Sequence, residues 1–189
     1  DYDPVGRDRG LALLRRLGGA LIDEGFNLVS GMGLGVGDAV AMGAIEAVYR
    51  KSGSHLDERT VLRPFPQTEP KQADRAAIWT RYREELLARA RSSIIVFGNK
   101  LDNGTVIEAS GVREEYGIAR RLGVLPIPIG ATGHAAQKLS GEVLSDLDSV
   151  YGRHSAGARP HLATLANPTA SDDDIIGAVI AVLKLVAPK

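Results

Sequence analysis

The fold is decided by Phe26-Asn27-Leu28-Val29-Ser30-Gly31-Met32-Gly33-Leu34-Gly35-Val36-Gly37, where an apolar strand pattern runs into a glycine ladder. A helical pattern follows directly, with apolar residues from Val40 to Val48 at helical spacing. Glycines let backbone N–H groups approach a ligand, and the N-terminus of the next helix carries a partial positive charge. The segment therefore predicts phosphate or ribose binding. The alternative is a tight strand-to-helix turn without a ligand.

Strand and helix patterns alternate along the rest of the chain. Helices are predicted at 7–24, 74–91, 112–122, from the glycine segment 130–133 to about 147, and from 171 onward, and strands at 60–63, 93–97 and 124–129. The polar stretches 98–111 and 152–167 are predicted to be loops. This alternation indicates an α/β fold, Rossmann-like and doubly wound, with a mainly parallel sheet. No repeat or linker interrupts the pattern, so we predict a single domain.

Composition narrows the classes of function. The chain has 189 residues, 44% of them hydrophobic, a formal net charge of zero and no cysteine. This is typical of a globular protein with one core, and zero net charge does not favour a nucleic-acid surface. No apolar run reaches the roughly 18 residues of a membrane span. We therefore expect a cytoplasmic protein that binds neither nucleic acid nor membrane. Neither catalytic residues nor a metal site are predicted, because the four histidines lack metal-ligand spacing.

Ligands of open α/β sheets bind beyond the carboxyl ends of the strands, and two more strands end in suitable residues. Arg63 and Phe65 follow the strand at 60–63 and offer a cation and a flat ring. The alternative for them is a surface arginine and a core phenylalanine. Gly98, Asn99 and Lys100 follow the strand at 93–97, where a lysine can meet a phosphate as a point charge.

Two helices supply further candidates, each with a simpler explanation. Arg83 lies beside the apolar stripe of the helix at 74–91, and periodicity alone favours a solvated charged face. Glu115 follows Gly111 and Val112 at the start of another helix. A carboxylate there either stabilises the helix dipole or accepts ribose hydroxyls. A conventional NAD-reducing enzyme is disfavoured, because Val36 stands where the strict dinucleotide fingerprint needs glycine.

Four of these segments resemble one family. They are Phe26 to Gly37, Leu62-Arg63-Pro64-Phe65-Pro66-Gln67, Ile94-Ile95-Val96-Phe97-Gly98-Asn99-Lys100 and Gly111-Val112-Arg113-Glu114-Glu115-Tyr116. They are similar to the SLOG superfamily and, more narrowly, to its STALD branch, over nearly the whole chain. Within that branch the chain resembles the C-terminal sensor domains of Thoeris anti-phage effectors.

The resemblance implies a regulatory domain that binds a cyclic ADP-ribose isomer made by a TIR-domain protein. Binding would activate an attached NAD-consuming effector, so the parent protein would be an NAD hydrolase (NADase) while this domain has no activity and no cofactor. Family members begin with a strand and a Ser/Gly loop that this chain lacks. We therefore expect residues 1–189 to be a ligand-sensing domain without its first strand and its effector domain. Because a signal must favour one assembly state, we also expect a homo-oligomer.

The family's essential residues can be placed on this chain. Its arginine falls on Arg83, its lysine on Lys100 and its glutamate on Glu115. The resemblance implies that Arg83 and Lys100 engage the pyrophosphate or ribose, and that Glu115 accepts ribose hydroxyls. The expected ligand-binding residues are Ser30, Gly31, Gly33, Leu34, Gly35, Gly37, Arg63, Phe65, Arg83, Gly98, Asn99, Lys100, Gly111, Val112 and Glu115.

Two other hypotheses remain open. The first is an enzyme related to the Lonely Guy phosphoribohydrolases, which cleave nucleoside monophosphates at the glycosidic bond. Gly104-Thr105-Val106-Ile107-Glu108 matches the end of that family's Pro-Gly-Gly-x-Gly-Thr-x-x-Glu motif, but the Pro-Gly-Gly is missing. The second is a DNA-processing SLOG protein, which would need a basic surface that zero net charge does not suggest.

Overall fold

A computed structural model describes residues 4–33, 35–51, 55–65 and 72–187, except for the side chains of 72–74. Leu34, one of the expected ligand-binding residues, lies outside the described residues. The chain divides into two compact units, one of Asp1–Gly10 and Arg91–Lys189, the other of Leu11–Ala90.

The Leu11–Ala90 unit is built around a pair of parallel strands, β1 (Leu28–Ser30) and β2 (Thr60–Leu62). Helix α1 (Arg7–Asp23) comes before β1, helices α2 (Gly37–Arg50) and α3 (Leu56–Arg59) connect the strands, and α4 (Gln72–Leu87) follows. In the register of the pair, Leu28 lies opposite Thr60 and Ser30 opposite Leu62. The core of the unit includes the buried leucines of α1, which are Leu13, Leu14, Leu17 and Leu21.

The other unit contains a second parallel pair, β3 (Ser92–Ile95) with β6 (Leu125–Pro128), joined through α5 (Ser110–Leu122). Between β3 and α5 lie β4 (Asn99–Asp102) and β5 (Thr105–Glu108). The helices after β6 are α6 (His134–Ser145), α7 (Leu147–Tyr151), α8 (Ser155–Ala166) and α9 (Asp172–Val186). Their buried residues supply most of the core, including Leu139, Leu147, Leu162, Leu165 and Val179.

The predicted loop at 98–111 is wrong, because β4 and β5 form an antiparallel hairpin there. Asp102 pairs with Thr105, so that the turn consists of Asn103 and Gly104 alone. Both have positive φ, 48° and 79°, as the favoured two-residue hairpin turns with Asn-Gly require. The Asn-Gly dipeptide was therefore a local signal for this hairpin.

The predicted loop at 152–167 is also wrong, since α8 occupies most of it. Pro160 lies inside this helix, at a position that normally disfavours helical structure. Ala158, Leu162 and Leu165 are buried at helical spacing, and α8 packs against α9. Tertiary burial thus stabilises a helix that the local composition argues against.

The predicted helix start at Ser171 is confirmed in detail. The Ser171 hydroxyl accepts a hydrogen bond from the Asp174 backbone N–H at 3.1 Å, and the Asp174 carboxylate accepts one from the Ser171 N–H at 3.2 Å. This is a capping box. Ile175, Val179 and Val182 of α9 are buried, so the apolar face of α9 belongs to the core.

The two parallel pairs and their helical connections confirm the predicted α/β class with mainly parallel pairing. That residues 1–189 form one ligand-sensing domain stays a prediction. Among the described helices, none has the length and apolar character that crossing a membrane requires.

Candidate functional site

An arginine–aromatic cluster follows β2 and covers one face of α4. It consists of Arg63, Phe65, Arg75, Trp79, Tyr82 and Arg83. Phe65 is at its centre, with its ring centroid 4.6 Å from that of Tyr82 and 6.0 Å from that of Trp79. The sequence predicts a cation and a ring after β2, Arg63 and Phe65. The structure adds two more rings and two more cations to this pair.

Arg83 is the most informative member of the cluster. Its guanidinium carbon lies 5.2 Å from the centroid of Phe65 and 5.8 Å from that of Trp79. Only 8% of the residue is exposed, and it is the one charged side chain among the buried residues that the structure describes. A guanidinium is the cation best suited to such a place, because it is weakly hydrated and stacks on aromatic faces. The periodicity-based expectation of a solvated face is therefore wrong for Arg83.

The glycine ladder begins against the same cluster. A Cβ atom on Gly31 would lie 2.7 Å from Phe65 Cε2 and 3.2 Å from Leu86 Cδ2, so any larger residue would displace these side chains. The Ser30 carbonyl accepts a hydrogen bond from the Arg63 backbone N–H at 2.9 Å. Ser30, Gly31, Arg63, Phe65 and Arg83 are thus brought together within one unit, as expected for a ligand site.

Three backbone N–H groups further along the ladder, those of Met32, Val36 and Gly37, donate to acceptors within the ladder itself. The Ser30 hydroxyl accepts from the Met32 N–H at 3.1 Å. The Gly33 carbonyl accepts from the N–H groups of Val36, at 3.1 Å, and Gly37, at 2.7 Å. These three amides already have acceptors, so this part of the ladder fits the tight-turn alternative better than an open amide cradle. Gly35, with φ of 76°, lies in the same turn.

The exit of β2 is fixed to α4 by Tyr82 and Glu85. The Tyr82 hydroxyl donates a hydrogen bond to the Arg63 carbonyl, and burial raises the pKa of this phenol. The Arg63 guanidinium lies 5.5 Å from the Tyr82 ring centroid and 3.8 Å from a Glu85 carboxylate oxygen. Arg63 is therefore held beside the cluster while about a third of its side chain, 36%, remains exposed.

In the other unit, the exit of β3 makes a tight corner at Phe97 and Gly98. Their φ values are 51° and 88°, and positive φ is a marked outlier for a bulky residue such as phenylalanine. The Phe97 N–H donates to the buried Thr132 hydroxyl at 2.8 Å, and the Phe97 carbonyl accepts from the Ala136 N–H at 2.9 Å. A Cβ on Gly98 would lie 2.7 Å from Ala135 Cβ and 3.2 Å from Val112 Cγ1. Gly98 and Val112 are therefore neighbours, and that they belong to one ligand site stays a prediction.

Asn99 and Lys100 lie on the hairpin instead of on a loop. Asn99 is opposite Glu108 in the register, and Lys100 is opposite Ile107. Lys100 is exposed, and no carboxylate among the described residues pairs with it. Gly111 and Glu115 lie in the first turns of α5, where Glu115 is half-buried. Lys100 thus offers a solvated cation, and Glu115 a partly desolvated carboxylate.

Glu108 ends the segment that resembles the Lonely Guy motif. Its carboxylate accepts hydrogen bonds from Lys138 Nζ at 2.6 Å and Arg113 Nε at 3.2 Å. These donors hold the pKa of Glu108 below its usual range. Arg113 also donates to Glu142 at 2.9 Å, so the carboxylate is part of a local ion-pair network. A proton-donating role for Glu108 is therefore disfavoured.

Sequence reasoning missed Arg75 and Trp79. Trp79 is the only tryptophan in the chain, and it precedes Arg83 by four residues, which places both on one face of a helix. Arg75 precedes Trp79 by the same interval. This spacing was the available signal, although it does not show that Phe65 would complete the cluster.

The chain is similar to known proteins over nearly all its length. The profile of STALD, the Sir2- and TIR-associating SLOG family, matches residues 1–186. The NAD(+) hydrolase ThsA of Bacillus cereus (strain MSX-D12) is 33% identical over 187 residues, which cover 99% of this chain and 38% of that protein. The NAD(+) hydrolase ThsA of Acinetobacter baumannii (strain 532279) is 34% identical over 179 residues, covering 92% and 37%. The chain thus spans less than two-fifths of the length of these relatives. It belongs to the STALD family of SLOG domains.

Proposed function

We propose that this chain is a regulatory sensor that binds a cyclic ADP-ribose isomer and activates an attached NAD-consuming domain in anti-phage defence. The observation that carries the proposal is the burial of Arg83 against the rings of Phe65 and Trp79, beside the first glycine of the ladder. Membership of the STALD family and similarity to the NAD(+) hydrolases named ThsA support the defence context.

The cluster has the chemistry that such a ligand requires. A guanidinium offers parallel N–H donors that match phosphate oxygens, and such charge-assisted pairs are stronger than neutral hydrogen bonds. Aromatic rings offer flat apolar surface to a purine. Packing on two rings also fixes the direction of the Arg83 guanidinium before a ligand arrives, which lowers the entropy lost on binding.

Lys100 and Glu115 are proposed to act as the family resemblance implies. The Lys100 ammonium is exposed and pairs with no carboxylate of the described ranges, so it suits a phosphate as a compact charge. The half-buried Glu115 carboxylate suits the paired hydroxyls of a ribose.

Calorimetry on the full-length protein tests the proposal, with cyclic ADP-ribose isomers, ADP-ribose, NAD and AMP as ligands. We expect saturable binding of a cyclic ADP-ribose isomer without turnover by this domain. Arg83→Gln should weaken that binding about 100-fold, because the ligand phosphate would then be bound without the charge of the buried guanidinium. The matched control is Arg81→Gln on the same helix, because 74% of the Arg81 side chain is exposed and it pairs only loosely with Glu85, at 3.8 Å. Unchanged affinity in Arg83→Gln would contradict the site.

The phosphoribohydrolase remains the alternative, and the same samples separate the two functions. An enzyme of that class would release free base from AMP, which chromatography detects. The ionised, doubly paired Glu108 does not favour it, since departure of the base is helped by a proton donor.

Activation requires that the ligand bind one assembly state better than another. We therefore propose that the parent protein is a homo-oligomer whose assembly responds to a nucleotide produced by a TIR-domain protein. Light scattering of the full-length protein, with and without the cyclic ADP-ribose isomer, checks this. An unchanged mass would restrict the mechanism to a change within one subunit.

A further inference from the structure

We propose that Arg75 is a second anion-binding residue and that Trp79 positions it, together with Arg83, for the diphosphate of a nucleotide. This rests on the proposed function and adds to it two residues on the same face of α4. The resulting arrangement is two guanidinium groups that share one indole ring.

The spacing along α4 explains how one ring serves both cations. Arg75, Trp79 and Arg83 are separated by four residues each, so they follow one another along a single helix face. The two arginine Cα atoms are about 12 Å apart along the helix axis, from a rise of 1.5 Å per residue. Nevertheless, the guanidinium carbons lie only 5.5 and 5.8 Å from the Trp79 centroid, because both side chains converge on the ring between them.

In the part of the chain that the structure describes, the charge of Arg75 has no acidic counterpart. Among the described residues no carboxylate pairs with Arg75, and the contact found for it is the Trp79 ring. Glu85, the acidic side chain seen beside the cluster, is shared by Arg63 and Arg81, each at 3.8 Å. Arg75 and Arg83 contact the same ring, and guanidinium groups bind phosphate oxygens through charge-assisted hydrogen bonds. A diphosphate carries two adjacent charges and is the natural match for such a pair.

Trp79 itself is held by the rest of the cluster. Its ring meets Phe65 edge-on, at an interplanar angle of 76°, and Phe65 is in turn packed on Tyr82. Tryptophan is the aromatic residue that attracts cations most strongly. We therefore assign Trp79 as a positioning residue, whose effect on the ligand passes through the two arginines.

The test uses the full-length protein and the cyclic ADP-ribose isomer that binds it most tightly. Arg75→Gln should weaken binding about tenfold, the loss of one charge-assisted contact from a partly exposed side chain. It should also make the affinity depend less steeply on salt concentration and reduce competition by inorganic pyrophosphate more than competition by inorganic phosphate. Arg75→Lys should recover part of the affinity, since it keeps the charge but loses the fork. Arg81→Gln is again the matched control and should change none of these.

Trp79→Phe and Trp79→Leu test the positioning role. The first keeps a ring for both cations and should retain more affinity than the second, with similar melting temperatures in the absence of ligand. Wild-type affinity and salt dependence in Arg75→Gln, together with lost binding in Arg83→Gln, would overturn this inference and leave the proposed function intact. Equal affinity in Trp79→Phe and Trp79→Leu would overturn the role of Trp79. Failure of the wild-type protein to bind any of the nucleotides would overturn the proposed function, and this inference with it.

Discussion

β1 and β3 both leave their parallel pairs through a glycine that has no room for a side chain. A Cβ on Gly31 would lie 2.7 Å from Phe65 Cε2, and a Cβ on Gly98 would lie 2.7 Å from Ala135 Cβ. The neighbour of Gly31 is the rim of a ring, which can turn about its side-chain bonds. The neighbour of Gly98 is attached directly to the backbone of α6, and Gly98 also has a φ of 88°.

The difference shows two ways of building a strand exit. After β1 the exit is lined by side chains, those of Phe65 and Leu86, which can turn about their own bonds. After β3 the exit is fixed by backbone groups and by Thr132, whose hydroxyl accepts from Phe97 and donates to the Ile129 carbonyl at 2.7 Å. The first exit can therefore adjust through side-chain rotation, whereas the second is held as a rigid corner by backbone contacts.

The comparison predicts a large difference between two glycine substitutions. Gly98→Ala should lower the free energy of unfolding by about 2–4 kcal/mol, because overpacking adds to the strain of positive φ. Gly31→Ala should cost about 1 kcal/mol, since Phe65 can move aside. Denaturant unfolding of the two variants measures this. Equal losses would mean that the two exits are equally rigid.

Removing a hydroxyl group at each exit gives a second test of the difference in rigidity between the two exits. Thr132→Val leaves the Phe97 N–H unsatisfied in a buried place and should cost about 2 kcal/mol. Ser30→Ala removes an acceptor from the Met32 N–H, which is only partly buried, and should cost about 0.5 kcal/mol. Denaturant unfolding again gives the values. Thr132→Ser keeps the hydroxyl and should recover most of the loss; if it does not, the packing of the Thr132 methyl group and not the hydrogen bond fixes the corner.

What the sequence predicts well is local. The start of α9 depends on four residues, Ser171 to Asp174, and the sequence predicts this start, while the structure shows the capping box that forms it. The hairpin turn at Asn103-Gly104 is equally local, but its strands are short and polar, and the composition of 98–111 predicts a loop. The sequence does not predict α8, because Pro160 disfavours a helix locally and the burial of Ala158, Leu162 and Leu165 depends on packing against other helices, α9 among them.

The candidate site shows what local sequence patterns do not predict. Arg83 is buried because Phe65, 18 positions away in the sequence, meets Trp79 beside it, and periodicity describes only the helix that carries Arg83. Only the family resemblance pointed to Arg83. Contacts between segments distant in sequence decide whether a charge on a helix faces water or a ring, and no pattern within one helix contains them.

The smallest expected effect is a difference in stability between variants of two acidic residues, Glu108 in one unit and Glu85 in the other. Glu108 is held by Lys138 at 2.6 Å and Arg113 at 3.2 Å, with 26% of its side chain exposed, whereas both partners of the half-exposed Glu85 lie at 3.8 Å. At neutral pH, Glu108→Gln should lower the free energy of unfolding by about 0.5–1 kcal/mol and Glu85→Gln by about 0–0.3 kcal/mol.

The loss of stability caused by Glu108→Gln should become smaller as the pH falls. Because its pKa is lowered in the folded chain, its stabilising contribution is present above its ordinary pKa near 4.5 and is lost as pH falls through the folded-state value. Urea unfolding of wild type and Glu108→Gln between pH 7 and acidic pH should therefore give curves that converge as the pH falls. A difference that persisted after Glu108 is protonated would show that its hydrogen bonds, and not its charge, stabilise the hairpin. In that case the charges of the Glu108 and Glu85 ion pairs would not explain why the two variants differ in stability.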